Sequence, residues 1–141
     1  EIDFYNIMSV IRGKFWGLDD QQIEDLLVTP SVSTPKHLLD RMTAAESVND
    51  ALDELSSTRY KDLIPEEEDE VKAISKFEHS LEMEIYKSVN SSFSKMFSFA
   101  TTVAISKLIA YEVRNIGAIA FAVEQKIPIE TTMSKLIISK E

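Results

Sequence analysis

A long and almost uniformly apolar segment constrains this chain more than any other feature. It runs from Ala100 to Val123, ATTVAISKLIAYEVRNIGAIAFAV, and its valines and isoleucines recur at helical spacing on more than one side. Small residues near its C-terminal end, such as Gly117, Ala118 and Ala120, would let neighbouring elements approach closely. The segment therefore predicts one long central helix that is buried on several faces.

The same segment is apolar enough to raise the question of a membrane span. Each Val, Ile, Leu or Phe favours insertion by roughly 0.3–0.6 kcal/mol, whereas each charge near the bilayer centre opposes it by roughly 2.5–3.5 kcal/mol. Lys107, Glu112 and Arg114 lie within the segment, and their unfavourable contribution exceeds the favourable one. The sequence therefore predicts a helix of a soluble bundle, and no signal peptide or membrane span is visible.

Composition limits the possible partners and chemistry. The chain has 141 residues, 44% of them hydrophobic, which is enough for a core in one domain or two small bundles. Three glycines and four prolines are few for an all-β fold. The absence of cysteine removes disulfides, thiolate nucleophiles and Cys-ligated metals, and fits a reducing cytosol. The net charge of -9 argues against nucleic acid and against anionic lipid as main partners.

Capping signals divide the rest of the chain into short helices. Two capping boxes are expected, one at Asp19 with Gln22 and one at Thr43 with Glu46. In chain order, the predicted boundaries are a left-handed cap at Gly17, N-caps at Asp19, at Thr34 before Pro35 and at Thr43, and a break at 126–128. Together with the helical periodicity, these signals predict an all-α chain.

An internal repeat is the most informative feature of the organisation. A shift of 109 residues gives the pairs Asp3 and Glu112, Asn6 and Asn115, Ile7 and Ile116, Val10 and Ile119, Leu18 and Ile127, and Leu27 and Leu136. Residues 3–28 (copy 1) and 112–137 (copy 2) are therefore predicted to superpose as a helix, a tight break and a short helix. Because Glu1 aligns with Ala110, copy 1 lacks the upstream part of its helix, and we expect the intact protein to extend further N-terminally with at least one more repeat.

This repeat also suggests the domain organisation. Residues 1–28 are interpreted as the end of a preceding helical repeat, and residues 29–141 as a C-terminal helical bundle repeat. The expected architecture consists of repeated three-helix-type bundles with the long buried helix at the centre.

Five polar residues on the two repeated helices form the candidate site, which is interpreted as a structural polar network. Burying a charge or an amide without a partner is costly, so we expect hydrogen bonds and ion pairs that fix how the repeats pack. A catalytic dyad is the alternative. Glu112 and Asn115 are both expected to be substantially buried, and Glu112→Ala is expected to cost on the order of 1–3 kcal/mol. The five residues are Asp3, Asn6, Glu112, Arg114 and Asn115.

Other candidate sites have simpler interpretations. His79 and Glu82 share a helix face with Glu78 adjacent, so half of a metal site is conceivable, but a solvated polar face explains the pattern as well. The acidic run at 66–70 is typical of a helix N-terminus, and a docking surface for a basic partner is the alternative. Neither a glycine-rich phosphate loop nor a nucleophile elbow is present, so no cofactor is expected.

Three stretches carry a resemblance to a known family. They are YEVRNIGAIAFAVEQKIP near the C-terminus, LDELSSTRYKDLI with Thr58 and Tyr60, and DFYNIMSVIRGKFWGLDDQQIEDLLV with Asp3, Asn6, Arg12, Lys14 and Gly17. Over essentially the whole chain, the sequence resembles the C subunit of archaeal and bacterial A/V-type ATPases, whose eukaryotic relative is the d subunit of the V-type ATPase. It departs from the family pattern at 31–33, SVS, where glycine is common, and at Phe121 and Val123, which align with Arg12 and Lys14.

This resemblance implies a pseudo-threefold funnel of helical bundles, of which the chain would hold the last third and part of what precedes it. The funnel would sit as a peripheral protein on the cytoplasmic mouth of the membrane rotor ring and receive the central stalk. The implied role is a non-catalytic socket that couples stalk to ring during ATP-driven proton or ion transport or ATP synthesis. The partners would be stalk and ring subunits, the membrane contact would be indirect, and no cofactor or metal would be needed.

Two other classes of function stay open at the level of sequence. One is a generic helical adaptor or scaffold without a rotor role, which the helical pattern alone would support. The other is a small metal-dependent or acid/base enzyme, for which His79 and Glu112 are the candidates.

Overall fold

The computed structural model describes residues 1–30, 33–92 and 98–138, and these residues form helices with no strand among them. The α-helices are α1 (Ile2–Phe15), α2 (Asp20–Leu26), α3 (Lys36–Ala44), α4 (Val48–Asp53), α5 (Glu70–Ser91), α6 (Phe99–Glu124) and α7 (Ile129–Met133). Two 3₁₀ turns, Glu54–Ser57 and Lys61–Leu63, follow α4. The prediction of an all-α fold is confirmed, whereas Ser31 and Val32 of the SVS loop lie outside the described residues.

The chain divides into two compact units, Glu1–Leu81 and Glu82–Glu141. This division falls within α5 and separates copy 1 from copy 2. Copy 1 shares its unit with α3 and α4, which contact α1. The assignment of residues 1–28 to a preceding repeat and of residues 29–141 to a C-terminal bundle repeat stays a prediction.

The core of the first unit forms where α1 meets α2, α3 and α4. Apolar residues of α1 recur at helical spacing and are fully buried there, because the three shorter helices cover that side. The ring of Tyr60, which is buried, meets Phe4 edge-on with 5.8 Å between ring centroids. The fully buried large side chains of this core include Ile7, Val10, Ile11, Ile23, Met42, Val48, Leu52, Leu55 and Phe77.

The capping box at the start of α2 is confirmed. The N–H of Gln22 donates to Asp19 Oδ1 at 2.8 Å, and the N–H of Asp19 donates to Gln22 Oε1 at 3.0 Å. Each side chain therefore satisfies a backbone N–H that the helix itself leaves without an acceptor.

Two of the predicted N-caps are wrong. α3 begins one residue later than expected, with Pro35 rather than Thr34 in the N-cap position and no side-chain cap. Thr43 lies inside α3, and Ser47 caps α4 instead by accepting from the N–H of Asp50 at 3.1 Å. Ser47 and Asp50 offer the same capping chemistry four residues later, which lets α3 continue through Thr43.

The existence of α6 is confirmed, but its burial differs from the expectation. α6 has 26 residues, and its buried residues are Ala104, Tyr111 and Ala122, which share one side of the helix. The Tyr111 ring meets Tyr86 of α5 edge-on, with 6.0 Å between ring centroids. A helix buries only those faces that have neighbours, and most of the large apolar residues of α6 are exposed. No helix within the described ranges has the length and apolar character needed to cross a bilayer.

Candidate functional site

The two copies end their long helices with the same backbone hydrogen bonds. In copy 1, the N–H of Leu18 donates to the carbonyl of Gly13 at 3.0 Å. In copy 2, the N–H of Ile127 donates to the carbonyl of Ala122 at 2.9 Å, and both residues lie 109 positions after their counterparts. This six-to-one bond is the signature of a Schellman motif, which satisfies carbonyls at the end of a helix.

The residue inside each bond has the same unusual backbone conformation. Gly17 has a φ of 70° and Lys126 a φ of 55°, so both lie in the left-handed region. Glycine is the expected residue there, whereas lysine pays a steric penalty for its Cβ. α2 begins at Asp20 and α7 at Ile129, again 109 residues apart. The predicted pattern of helix, tight break and short helix is therefore confirmed in both copies.

Each copy also contains an asparagine that binds the backbone of a residue beyond the short helix. Asn6 Nδ2 donates to the carbonyl of Val28 at 2.9 Å and Asn6 Oδ1 accepts from the Val28 N–H at 2.8 Å. Asn115 does the same to Ile137, at 2.8 Å and 3.0 Å. A side-chain amide carries a donor and an acceptor side by side, so it pairs with both polar groups of one residue. We call this arrangement the asparagine clamp.

The clamp fixes where the chain returns after the break. In both copies, the asparagine and its backbone partner are 22 residues apart. Asn6 is fully buried, whereas Asn115 is half-buried. The sequence identified both asparagines but not their main-chain partners. Each partner lies 22 residues away, and no local pattern marks it.

The two acidic counterparts differ. Asp3 is buried, and its carboxylate accepts from the N–H groups of Ser33 and Thr34, each at 3.0 Å from Oδ1, with Arg59 Nη2 at 3.9 Å from Oδ2. Glu112 is exposed, so the prediction that it is buried is wrong.

The physical reason lies in the segment that covers Asp3. Its backbone partners lie 30 and 31 positions along the chain, at the entry to α3, so the burial of Asp3 depends on a segment outside copy 1, whereas Glu112 is exposed. Removal of an exposed carboxylate changes the free energy of unfolding by about 0.5 kcal/mol or less. The structure therefore predicts this small effect for Glu112→Ala, in place of the cost of about 1–3 kcal/mol expected for a buried side chain.

Two arginines engage carboxylates of α5. Arg114 binds both oxygens of Glu82 through its two terminal nitrogens, and Arg12 Nη2 lies 2.7 Å from Glu78 Oε1. A two-pronged arginine–carboxylate pair fixes the geometry of both groups, because two parallel hydrogen bonds must form together. Glu78 and Glu82 are the carboxylates that, with His79, suggested half of a metal site. Within the described ranges, no group of three or more His, Cys, Asp or Glu side chains is placed to hold a metal ion.

The acidic run contributes to the start of α5. The N–H of Lys72 donates to Asp69 Oδ1 at 2.8 Å, which satisfies one N–H of the first turn. Glu67 accepts a hydrogen bond from Lys76, and this bond, followed by the charge of Lys76, holds the pKa of the Glu67 carboxyl below its usual value. These contacts agree with the interpretation of the run as a helix N-terminus.

An open apolar groove of about 320 Å³ lies at the break between α6 and α7. Copy 1 packs more tightly at the matching place, because a Cβ added to Gly13 would lie 2.7 Å from Ile23 Cγ1. At the positions that match Gly13 and Ile23, copy 2 has Ala122 and Thr132. Its long helix therefore carries the larger of the two residues, alanine rather than glycine, and its short helix carries the more polar one, threonine rather than isoleucine. The groove is lined by Ile119, Ala122, Val123, Lys126, Ile127, Ile129, Thr132 and Met133.

Comparisons with known proteins give the family. The family described as ATP synthase (C/AC39) subunit matches residues 1–135. The C subunit of the A-type ATP synthase of Pyrococcus horikoshii is 31% identical over 129 residues, which cover 89% of this chain and 34% of the relative. The corresponding C subunit of Pyrococcus abyssi is 29% identical over 127 residues, which cover 87% and 34%.

The chain thus spans 34% of the length of each of these curated relatives. No solved structure matches it significantly. The family match covers copy 1 and all but the last two residues of copy 2, from α1 to beyond the end of α7. The chain belongs to the ATP synthase (C/AC39) subunit family, as its resemblance to the C subunit of A/V-type ATPases predicted.

Proposed function

We propose that this chain is a non-catalytic part of a rotary A/V-type ATPase, where it helps to form the socket that couples the central rotor stalk to the membrane rotor ring. The observation that carries this proposal is the family match over residues 1–135, supported by two relatives named as C subunits of A-type ATP synthases. The partners would be stalk and ring subunits, and the protein would lie peripherally on the cytoplasmic face of the membrane.

The helices are suited to a mechanical role. At about 1.5 Å per residue, the 26 residues of α6 extend about 39 Å and the 22 residues of α5 about 33 Å. Each copy fixes its helix break twice, through the Schellman bonds and the asparagine clamp. A part that transmits torque needs long elements whose joints resist bending, and these joints supply such resistance.

Membrane association would occur through protein rather than lipid. A net charge of -9 disfavours direct contact with an anionic bilayer. The intact protein should therefore bind the detergent-solubilised rotor ring in a pull-down but should not sediment with protein-free vesicles that contain anionic lipid. Binding to the vesicles without binding to the ring would contradict the proposed partner.

The coupling role is tested in the assembled enzyme. Removal of the protein should uncouple ATP hydrolysis from ion pumping, while the isolated soluble motor continues to hydrolyse ATP. The control is reconstitution with the intact protein, which should restore pumping. Normal coupled pumping without the protein, or ATP hydrolysis by this chain alone, would overturn the proposal.

A helical adaptor without a rotor role is the alternative, and the exposed apolar face of α6 is the observation that favours it. Such an adaptor would not bind the rotor ring in the same pull-down, and its loss would leave ion pumping unchanged.

A further inference from the structure

α6 exposes its more apolar side. The stripe that it buries contains Ala104, Tyr111 and Ala122, two of which are small. The large apolar residues that it exposes lie on the remaining faces, and contiguous exposed patches of this kind mark interaction sites. They include Ile109, Val113, Ile116, Ile119, Phe121 and Val123.

Copy 1 indicates what kind of element covers this face. Ile7 and Val10 of α1 are both 0% exposed, whereas their counterparts Ile116 and Ile119 are 66% and 44% exposed. The side of α1 that carries Ile7 and Val10 belongs to the same buried cluster as Leu38, Leu39 and Met42 of α3 and Val48 and Leu52 of α4, and α1 contacts both helices.

The acidic counterparts support the same comparison. Asp3 accepts from the N–H groups of Ser33 and Thr34, which hold the chain where it enters α3. Glu112 places a carboxylate at the equivalent position of α6, on an exposed part of the helix. Copy 2 therefore carries both the apolar face and the acceptor with which copy 1 binds α3 and α4.

We infer that the face of α6 around Ile116 and Ile119 is a docking surface for an amphipathic pair of short helices with the chemistry of α3 and α4. The first helix of the pair presents apolar side chains at positions i, i+1 and i+4, as Leu38, Leu39 and Met42 do in α3. The two N–H groups before it donate to the Glu112 carboxylate. This inference rests on the internal repeat and is independent of the proposed rotor function.

An extended chain tests the inference directly. A second stretch of residues 33–57, joined immediately after Glu141, would follow copy 2 at the same 109-residue offset at which it follows copy 1. The chain contains no cysteine, so Ile116→Cys introduces a unique thiol whose rate of maleimide labelling reports exposure at the centre of the face. The extension should slow this labelling by at least about tenfold, because only transient opening of the covered state exposes the thiol.

Two matched controls isolate the docking. Gln125→Cys lies at the end of the same helix, and its counterpart Trp16 is 67% exposed, so its labelling rate should not change. An extension with serine in place of the residues that correspond to Leu38, Leu39 and Met42 should leave Ile116→Cys as reactive as in the chain without an extension.

Each remaining outcome contradicts the inference. Equal labelling of Ile116→Cys with the apolar and the serine-substituted extension would exclude a helix pair of this chemistry. Labelling of the chain without an extension that slows as protein concentration rises would assign the face to another molecule of the same chain. Protection by protein-free lipid vesicles would assign it to a membrane surface.

Discussion

Copy 1 and copy 2 have the same backbone at their helix breaks and opposite burial on the helices before them. The Schellman bonds, the left-handed residue and the asparagine clamp occur at matching positions in both. Ile7 is 0% exposed, but its counterpart Ile116 is 66% exposed. The break is therefore determined locally, by about 25 residues of chain, since the clamp spans 22. Burial depends instead on which elements pack against the long helix.

The largest difference between the copies should appear when the matched isoleucines are shortened. Ile7→Ala should destabilise the first unit by about 2–5 kcal/mol, because it leaves a cavity in a closed core. Ile116→Ala should change stability by about 0.5 kcal/mol or less, because the side chain is already exposed. Urea unfolding followed by circular dichroism measures the first change, and native-state hydrogen exchange assigns it to α1 or α6.

The two isoleucine variants also separate the effect of the helix's own sequence on stability from the effect of the elements packed against it. Ile119→Ala is the control within copy 2 and should behave like Ile116→Ala, since both side chains are exposed. If Ile116→Ala and Ile7→Ala destabilised the chain equally, α6 would be covered in solution, and the contrast between the copies would not hold.

The two clamps should differ in the same direction by a smaller amount. Asn6→Ala leaves the N–H and the carbonyl of Val28 without their partners beside a fully buried position, and should cost about 1–3 kcal/mol. Asn115→Ala should cost about 0.5–1.5 kcal/mol, because Asn115 is half-buried and water can reach the space its side chain leaves, although its partner Ile137 is itself buried.

Aspartate distinguishes the clamp from simple filling of space. Asn6→Asp keeps the size of the side chain but cannot donate to the Val28 carbonyl when it is ionised, and it buries a carboxylate oxygen against that carbonyl, so its cost at neutral pH should be at least that of Asn6→Ala. An aspartate variant as stable as the parent would mean that the donor bond contributes nothing. Urea unfolding of the alanine and aspartate variants measures this difference, and hydrogen exchange of the Val28 amide separately reports the bond that Val28 N–H donates to the Oδ1 of residue 6.

The packing of the short helix on the long one gives a further contrast. Gly13→Ala should destabilise copy 1 by about 1–3 kcal/mol, because the new Cβ would lie 2.7 Å from Ile23 Cγ1. Copy 2 carries Ala122 and Thr132 at these positions, so Ile23→Thr should reduce the cost of Gly13→Ala.

A double-mutant cycle measures this coupling. The loss from Gly13→Ala with Ile23→Thr should be smaller than the sum of the two single losses, as expected for residues in contact. Additive losses would mean that the cost of Gly13→Ala does not arise from contact with Ile23.

Sequence alone predicted most helices, because their signals are local. The capping box of Asp19 and Gln22 and the left-handed cap at Gly17 need only a few neighbouring residues, and both occur as predicted. Thr43 was assigned wrongly because Ser47 and Asp50 compete for the same role a few residues later. Local patterns identify caps but do not rank two that lie close together.

The candidate site was less predictable, because its contacts are distant in sequence. Arg114 and Glu82 are 32 residues apart, and Arg12 and Glu78 are 66 apart, so no local pattern indicates either pair. The repeat was a useful signal, because it paired Asn115 with Asn6 and both bind distant main chain, but Asn115 is only half-buried and Glu112 is exposed. Asparagine finds its partner within the copy, whereas Asp3 depends on the segment before α3.

The smallest expected effects concern the left-handed residues, and they should have opposite signs. Gly17→Ala should cost about 1 kcal/mol, and this cost is conformational, because an added Cβ would meet no atom within 4 Å. Lys126→Gly should stabilise copy 2 by about 0.5–1 kcal/mol, because lysine already bears the penalty at a φ of 55°. Lys126→Ala is the control and should be nearly neutral, since it keeps the Cβ that causes the penalty and removes the outer part of an exposed side chain. Thermal unfolding with hydrogen exchange at α1 and α6 measures both signs. Destabilisation by Lys126→Gly would mean that contacts of the lysine side chain stabilise the break in copy 2. The two breaks would then have the same backbone conformation but be stabilised by different interactions.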